Sequence, residues 1–431
     1  MKDTVSIFWF RRDLRLEDNT ALNAALLAHE KVLPIFIFDT NILEELEECD
    51  PRVSFIYSTL QSIDNKLSSN GSGVNCFKGR VESVFKHLIE KYDVTDVYFN
   101  KDYEPYALTR DNSIKKMLHA KDISLHTFKD QVIFEELEIT KGDNSPYTVF
   151  TPYKNKWLQK FNPSSLSSNL EINIHHFYKR SISFPSLESI GFKPSSIQIP
   201  PFDLSVVEKY KDLRDFPSTK GTSQLSTHLR FGTVSIRRIL KGLNLESVFL
   251  SELIWREFFM QILYNFPRVV SSNFKAKYNQ IEWRNNQKEF KAWCEGKTGY
   301  PIVDAGMREL NETGLMHNRV RMITAGFLCK HLLIDWRWGE AYFASKLLDY
   351  DLSANNGNWQ WAAGTGCDSA PYFRIFNPSA QQMKFDKKGL YTSKWNPGWE
   401  LSLTTPIVEH VYARKRALDT YKLGLSKIPE Q

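Results

Sequence analysis

Residues 5–10 read VSIFWF, a short run that is apolar or aromatic at nearly every position. Three later runs have the same character: VLPIFIF (32–38), VNCF (74–77) and VTDVYF (94–99). Such runs are typical of strands that are buried on both faces of a parallel sheet. The segments between them carry apolar residues three and four positions apart, as surface helices do: residues 21–30, 52–67 and 81–92. This alternation predicts βαβ units and a doubly wound α/β domain over residues 1–135.

Ligands of such sheets bind beyond the carboxyl ends of the strands. Residues 11–18 (RRDLRLED) follow the first predicted strand, and residues 100–106 (NKDYEPY) follow a later one. The glycine pattern GxGxxG does not follow the first strand, so an ordinary dinucleotide site is not expected there.

The remainder of the chain changes character twice. Residues 162–207 are rich in Ser, Pro and Asn without helical periodicity, which indicates an extended connection. From about residue 208 onward, amphipathic and apolar helical runs are separated by Gly, Pro and Asn. We therefore predict three parts: an α/β domain (1–135), an extended linker (136–207) and an all-helical domain (208–431).

The composition is that of a globular protein, with 42% hydrophobic and 25% charged residues in 431. No apolar run of about 20 residues is present, and the first ten residues lack the features of a signal peptide. The five cysteines are scattered and form no CxxC pair, which argues against a zinc site and a disulfide framework. A cytoplasmic protein with no membrane segment and no metal is expected.

Charge and tryptophan are distributed unevenly. Residues 1–140 contain 17 Lys and Arg against 24 Asp and Glu, so the remaining residues contain 39 against 26. Nine of the eleven tryptophans lie after residue 250. This asymmetry indicates that the C-terminal part handles any polyanion, although a mild positive excess is also a common solubility feature.

Two segments of the helical part combine polar groups with helix starts. Residues 221–226 (GTSQLS) offer hydroxyl and backbone donors ahead of a helix, which suits a phosphate, although an ordinary helix cap is the more common explanation of Thr222 or Ser223. Glu252, Trp255 and Arg256 share one helical face, as in the wall of a polar pocket. The alternative is an intrahelical Glu252–Arg256 ion pair beside a core tryptophan.

Residues 316–322 (MHNRVRM) and 349–366 (DYDLSANNGNWQWAAGTG) are the other candidates. Arg319 and Arg321 are two positions apart, so one can face a nucleic-acid backbone and the other an internal anion. The second stretch reads as a Gly-, Ala- and Asn-rich loop, in which two tryptophans have little local structure to pack against. Its two aspartates lack a third ligand with suitable spacing, which makes a divalent-metal site a weak alternative.

At these residues the sequence resembles the photolyase/cryptochrome family, over nearly the whole chain. The motifs that carry the resemblance occur in the family's order: FWFRRDLRLEDNTAL (8–22), GTSQLS (221–226), ELIWREFF (252–259), GKTGYPIVDAGMREL (296–310), GLMHNRVRMITAGFLCKHLLIDW (314–336) and DLSANNGNWQWAAGTGCDSAPYFRIFNPSAQ (351–381). Within the family the sequence is most similar to class I cyclobutane pyrimidine dimer photolyases, flavin enzymes that repair ultraviolet lesions with blue light.

The resemblance implies one FAD in the helical domain, active in its reduced form. The residues implied to hold it are Tyr210, Thr222, Ser223, Gln224, Leu225, Ser226, Arg321, Asp349, Tyr350, Asp351 and Asn355. Asn355 is implied to lie beside the flavin N5. Three tryptophans match the relay that carries electrons from the surface to the flavin: Trp283, Trp336 and Trp359.

The resemblance also implies a DNA-repair pocket and its substrate, ultraviolet-damaged DNA containing pyrimidine dimers. The residues implied to line the pocket are Glu252, Trp255, Asn318, Met322 and Trp361, with Arg256, Arg319, Arg374 and Gln381 towards DNA. Glu252, Asn318 and Asn355 are the residues assigned to catalysis. A monomer without an obligate protein partner is expected.

Three other functions compete with this one. A blue-light receptor of the cryptochrome type shares the tryptophan relay. The resemblance implies a histidine pair in the lesion pocket of a (6-4) photolyase, whereas this chain has Asn318 and Met322. A light-independent flavin oxidoreductase would need a general acid and base, and no such pair stands out. The antenna chromophore of the α/β domain stays open between deazaflavin, folate, a second flavin and none.

Overall fold

The computed structural model describes residues 2–166, 172–179, 183–401 and 405–427. Contacts between residues divide the chain into two compact units. The first unit comprises residues 1–138, 158–201 and 225–245, and the second comprises residues 139–157, 202–224 and 246–431. This division into contact units does not test the domain boundaries predicted at residues 135 and 207, which stay a prediction. The contacts group residues 158–201 and 225–245 with the N-terminal part, whereas the sequence predicted a linker and an unbroken helical domain there.

The first unit is built on a five-stranded parallel sheet of order β3-β2-β1-β4-β5. Its strands are β1 (Thr4–Phe10), β2 (Val32–Asp39), β3 (Asn75–Gly79), β4 (Asp93–Asn100) and β5 (Ser124–Phe128). The four predicted strands and the doubly wound α/β fold are confirmed. The sequence did not predict β5, because this edge strand is only partly buried and lacks a continuous apolar run.

The described residues also form the following α-helices, numbered along the chain: α1 (Thr20–Ala28), α2 (Thr40–Leu43), α3 (Pro51–Ser68), α4 (Val81–Lys91), α5 (Pro105–His119), α6 (Phe150–Lys160), α7 (Leu187–Ile190), α8 (Tyr210–Leu213), α9 (Leu225–Phe231), α10 (Ile236–Leu240), α11 (Val248–Asn265), α12 (Gln287–Cys294), α13 (Pro301–Thr313), α14 (Asn318–Gly326), α15 (Trp336–Lys346), α16 (Leu352–Ala363), α17 (Pro378–Phe385), α18 (Leu390–Trp395) and α19 (His410–Ser426). Short 3₁₀ turns occur at Pro163–Leu166, Ile174–His176, Ser205–Lys209, Pro267–Val270, Ala276–Gln280 and Trp399–Leu401, and a π-helical turn at Phe327–His331.

Alternate residues of β1 pack on opposite faces of the sheet. Phe8 and Phe10 belong to one apolar cluster, and Ile7 and Trp9 belong to another. Both faces of the sheet are therefore covered, which is why the strands read as continuous apolar runs.

Charged side chains hold the loop after β1 to other parts of the first unit. The Asp130 carboxylate accepts hydrogen bonds from Arg15 at 2.6 Å and from Arg237 at 2.8 Å. Arg237 also donates to the Asp18 carboxylate at 3.0 Å. Burial by itself would raise the pKa of Asp130, but the two guanidinium groups outweigh it and hold that pKa below its usual range. Segment 225–245, which contains Arg237, is thereby held to the segments that follow β1 and β5.

The second unit is almost entirely helical and packs around a core of buried apolar residues. Its largest cluster includes Trp293, Val303, Leu328, Trp336 and Trp359. None of the helices in the described part of the chain is both long and apolar enough to cross a membrane.

Candidate active site in the helical unit

Helix α11 positions the predicted face of Glu252, Trp255 and Arg256. Ser247 caps the helix by accepting a hydrogen bond from the Leu250 N–H at 3.0 Å. All three predicted side chains are half-buried on a helix that is otherwise largely buried. A carboxylate, an indole and a guanidinium thus lie together at the edge of the apolar core.

The Glu252 carboxylate forms an ion pair with Arg214. Burial raises the pKa of Glu252 above its usual range, and the nearby positive charge of Arg214 opposes this shift without cancelling it. The Arg214 guanidinium lies over the Tyr210 ring, 5.5 Å from its centroid. No sequence pattern singled out Arg214, which stands one residue before Asp215 and seven before the GTSQLS loop.

Trp255 is stacked on Phe150, with ring centroids 3.7 Å apart and planes inclined by 8°. Phe258 packs edge-on against the same indole at 5.5 Å. Phe150 is itself anchored, because its backbone N–H donates to the Asp368 carboxylate at 2.9 Å. One face of the Trp255 indole is therefore backed by a buried ring. Phe150 was not predicted from the sequence, because it lies in the predicted linker.

The start of α14 carries four predicted residues with different surroundings. Asn318 is exposed at the first position of the helix. Arg319 forms an ion pair with Asp215 at 2.6 Å and lies over the Phe385 ring at 4.3 Å. The same guanidinium is 3.7 Å from the Met322 sulfur.

Arg321 has a separate partner, because its guanidinium donates to both carboxylate oxygens of Asp349, at 2.9 and 3.1 Å. The two arginines thus pair with different carboxylates.

His317 caps α14, since its Nδ1 accepts a hydrogen bond from the Arg319 N–H at 3.1 Å. Burial, aided by the charge of Arg319, lowers the pKa of His317 to about 4. This histidine is therefore neutral near pH 7 and serves as a helix cap.

Residues 352–363 form helix α16, so the expected loop in this stretch is wrong. The Asp351 carboxylate caps the helix by accepting from the Ser353 and Ala354 N–H groups, at 3.1 and 3.2 Å. Gly357 lies where a Cβ atom would meet the Phe259 ring of α11 at 2.2 Å. The glycine that suggested a loop instead permits two helices to pack closely.

The two aspartates of this stretch are engaged as a cap and as the partner of Arg321. Tyr350 lies between them and is half-buried. Among the described residues, no three His, Cys, Asp or Glu side chains are grouped so that they could hold a metal ion.

Asn355 lies in the first turn of α16 and is held by Glu340. Its Nδ2 donates to the Glu340 carboxylate at 2.8 Å and to the Glu340 carbonyl at 3.1 Å. Burial raises the pKa of Glu340 above its usual range. Both amide hydrogens of Asn355 are thus engaged, and its carbonyl oxygen is left to accept a further hydrogen bond.

The three tryptophans predicted to form an electron relay belong to or pack against one apolar cluster. Trp359 and Trp336 are 2% and 1% exposed, and Trp283 is partly exposed. The Trp336 Nε1–H donates to Asn273 at 2.8 Å. Trp283 packs edge-on against Tyr421 of α19, with centroids 6.0 Å apart. Exposure therefore increases from the inner indoles to Trp283.

The GTSQLS segment turns sharply before α9. Gln224 has a positive φ of 54°, and its Nε2 donates to the Thr222 hydroxyl at 3.2 Å. Ser223 is buried and Gln224 is exposed. The contact division assigns Thr222, Ser223 and Gln224 to the second unit, and Leu225 and Ser226 to the first.

The remaining predicted DNA contacts lie on α16 and beyond it. Trp361 is half-buried on α16, two residues after Trp359. Arg374 is exposed, with its guanidinium 5.4 Å from the Phe376 ring centroid. Gln381 is half-buried on α17.

Comparison with known proteins adds independent information. Residues 249–403 match the family described as the FAD binding domain of DNA photolyase, and residues 6–171 match the DNA photolyase family. The chain is 37% identical to the deoxyribodipyrimidine photo-lyase of Vibrio cholerae, over 91% of this chain and 90% of that protein.

Two solved structures extend the similarity to three dimensions. A class III photolyase from Agrobacterium tumefaciens covers 99% of both chains at 31% identity, with a TM-score of 0.86. An archaeal photolyase from Sulfolobus tokodaii with two FAD molecules covers 97% of this chain and 100% of its own, at 34% identity and a TM-score of 0.81.

Proposed function

The chain belongs to the DNA photolyase family, and from that premise we propose that it splits cyclobutane pyrimidine dimers in ultraviolet-damaged DNA in a light-dependent reaction. The observation that supports this most directly is the grouping on α11 of Glu252, whose carboxyl has a raised pKa, and Trp255, whose indole is backed by Phe150.

FAD is the cofactor of this family domain. When bound and fully reduced, FAD would supply light-driven, reversible one-electron chemistry to the dimer. The proposed binding residues suit its parts: Thr222, Ser223, Gln224, Leu225 and Ser226 for the phosphates, and Tyr210, Arg321, Asp349, Tyr350, Asp351 and Asn355 around the rest. Gln224 has a positive φ, a backbone conformation that also occurs in anion-binding turns.

Asn355 is proposed to face the flavin N5. Because Glu340 accepts the hydrogen bonds of the Asn355 amide nitrogen, the side-chain carbonyl oxygen of Asn355 would be available to accept an N–H from a reduced flavin. Because the Asn355 side chain is a neutral amide, it would not repel the negative charge of a reduced flavin as a carboxylate at this position would.

The lesion pocket is proposed to use Trp255 and Trp361 as aromatic walls. A dimer flipped out of the duplex loses its stacking, and an aromatic platform returns about 1–3 kcal/mol per base. Met322 adds an apolar, polarizable surface, and Asn318 adds an exposed amide that can bond to pyrimidine carbonyls.

Glu252 is proposed to donate a hydrogen bond to a carbonyl of the dimer. Burial raises the pKa of Glu252, so the protonated form with its O–H is more accessible here than in a solvent-exposed glutamate. The dimer carbonyls become more negative once an electron arrives, so this bond strengthens during the reaction. The DNA backbone around the lesion is proposed to contact Arg256, Arg319, Arg374 and Gln381, and the chain to act as a monomer.

A thymine-dimer oligonucleotide tests the function directly. The dithionite-reduced, FAD-loaded protein is incubated with it under blue light and in darkness, and the absorbance at 260 nm is followed. We expect recovery of absorbance only in the illuminated sample, and none with an oligonucleotide that carries a (6-4) lesion. No recovery with the thymine dimer would contradict the proposal and favour the light-receptor alternative.

A further inference from the structure

One face of α15 touches the indole of Trp359. Trp336, Gly339 and Phe343 lie three and seven positions apart, so they share this face. A Cβ atom on Gly339 would lie 2.1 Å from Cη2 and 2.4 Å from Cζ3 of Trp359. Both distances are far below van der Waals contact. The six-membered ring of this indole therefore rests directly on the backbone of α15.

Phe343 lies one turn after Gly339 on α15 and also contacts the Trp359 indole. Its ring meets Trp359 edge-on, with centroids 4.9 Å apart and planes inclined by 78°. Trp293 packs against the same indole at 6.1 Å. With 2% of its surface exposed, Trp359 has a single close-packed position.

Trp336 is fixed independently on the same helix. Its Nε1–H donates to Asn273 at 2.8 Å, and Asn273 in turn donates to Asn279 at 2.8 Å. Trp336 and Gly339 are three residues apart on α15, about 4.5 Å along the helix axis. Helix α15 thus carries the Trp336 indole together with Gly339 and Phe343, the residues that contact the Trp359 indole.

We propose that Gly339 and Phe343 are positioning residues that set the approach of Trp359 to Trp336, and thereby the speed of flavin photoreduction. The inference rests on the proposed function, through the tryptophan relay. Each step moves one electron between indoles and changes no bond. Trp336 donates an electron to oxidised Trp359, Trp283 donates one to oxidised Trp336, and an added thiol reductant donates one to oxidised Trp283.

The first test is Gly339→Ala in the FAD-loaded protein. A methyl group must push the Trp359 ring away from α15, because backbone on one side and Leu328 on the other leave no room. Starting from oxidised flavin under anaerobic blue light, we expect reduction to slow by about tenfold, as displaced reaction partners commonly do. Dimer splitting by the dithionite-reduced variant bypasses the relay and should stay close to wild type.

A second variant and two controls make the test independent of one substitution. Phe343→Leu keeps an apolar side chain but releases the edge contact, and should slow photoreduction in the same direction. Gly326→Ala is the matched control, because a Cβ there meets nothing nearer than Phe376 at 3.9 Å. Trp359→Phe marks the complete loss of the relay.

The position of the indole is also read without light. In protein labelled with 5-fluorotryptophan, Trp359→Phe identifies the fluorine resonance of Trp359. We expect Gly339→Ala to shift that resonance and to leave those of Trp255 and Trp361 unchanged.

The inference is overturned if folded, FAD-loaded variants photoreduce at the wild-type rate, if photoreduction and dithionite-supported repair fall equally, or if wild type does not photoreduce. Should Gly339→Ala fail to fold, Phe343→Leu decides alone. Failure of the dithionite-reduced wild type to split dimers contradicts the proposed function instead. The photoreduction rates and the fluorine spectra then still test whether Gly339 and Phe343 position Trp359.

Discussion

Glu252 is subject to two opposing effects. Burial favours the protonated carboxylic acid, and the ion pair with Arg214 favours the carboxylate. Burial is the larger effect, so the pKa of Glu252 stays above its usual range. A carboxyl group poised in this way can hold a proton for a carbonyl that gains negative charge.

Replacing Glu252 tests this role. We expect Glu252→Ala to lower the repair yield per absorbed photon more than the affinity for dimer-containing DNA, because the bond strengthens after electron transfer. Glu252→Gln keeps a neutral donor and should retain most of the yield. Repair yield and DNA dissociation constant are measured on the same reduced preparations, and equal losses in both for Glu252→Ala would contradict the role.

The pH dependence follows from the sign of the shift. The proton on Glu252 is present below its raised pKa and is lost as pH increases through it. The wild-type repair yield should therefore fall on the alkaline side, and that of Glu252→Gln should not follow this fall. Parallel pH profiles for the two proteins would show that another group titrates.

The residues nearest to these side chains were the hardest to find from sequence. Glu252 and Trp255 were predicted because they share a helical face, whereas Arg214 and Phe150 reach them from 38 and 105 positions away. Sequence spacing carries no information about such contacts. Only the charged pair Arg214 and Asp215, directly ahead of a glycine loop, offered a local signal.

At the scale of the element, α16 shows how packing overrides composition. Its asparagines and its glycine predicted a loop, but Asp351 caps the helix and Gly357 lets it lie against Phe259 of α11. The long helix α11 and the buried strands were predictable because their apolar pattern repeats. A helix whose glycine serves a close contact has no such pattern.

The contact between α11 and α16 also sets the distance between two proposed pocket walls, Trp255 and Trp361. Gly357→Ala places a methyl group into the Phe259 ring, and overpacking of this kind costs about 1–3 kcal/mol. We expect weaker binding of a thymine-dimer oligonucleotide, measured by fluorescence anisotropy, with Gly326→Ala as the matched control. Unchanged affinity in a folded Gly357→Ala protein would separate the helix contact from the pocket.

At the scale of the whole molecule, Asp130 joins the first part of the chain to the segment around Arg237. Removing one partner of a buried ion pair costs about 3–5 kcal/mol, so Asp130→Asn should lower the free energy of unfolding by that order. Glu17→Gln, at an exposed pair with Arg238, should change it little.

The same pair predicts a pH dependence of stability. Because the folded-state pKa of Asp130 lies below its usual 3.8, its contribution is complete above that value and is lost as pH falls through the folded pKa. Urea unfolding from pH 6 downward should therefore show a smaller acid-induced loss in Asp130→Asn than in wild type. An identical acid slope in both proteins would assign the loss to other carboxylates.

The uneven charge of the chain predicts how DNA binding responds to salt. Affinity for damaged duplex should fall linearly with salt on logarithmic axes, and Arg374→Ala should reduce that slope by about one phosphate contact. Arg238→Ala, in the first unit, is the comparison variant and should leave the slope unchanged. Equal slopes for all three proteins would remove Arg374 from the DNA-contacting surface.

The chain passes from one compact unit to the other five times, at 138–139, 157–158, 201–202, 224–225 and 245–246. No single cut therefore yields two self-sufficient fragments. A chimera joined near residue 208 would combine residues 225–245 of one parent with the Asp18 and Asp130 of the other. Such a chimera keeps the Arg237 ion pairs only if its two parents carry matching residues at positions 18, 130 and 237.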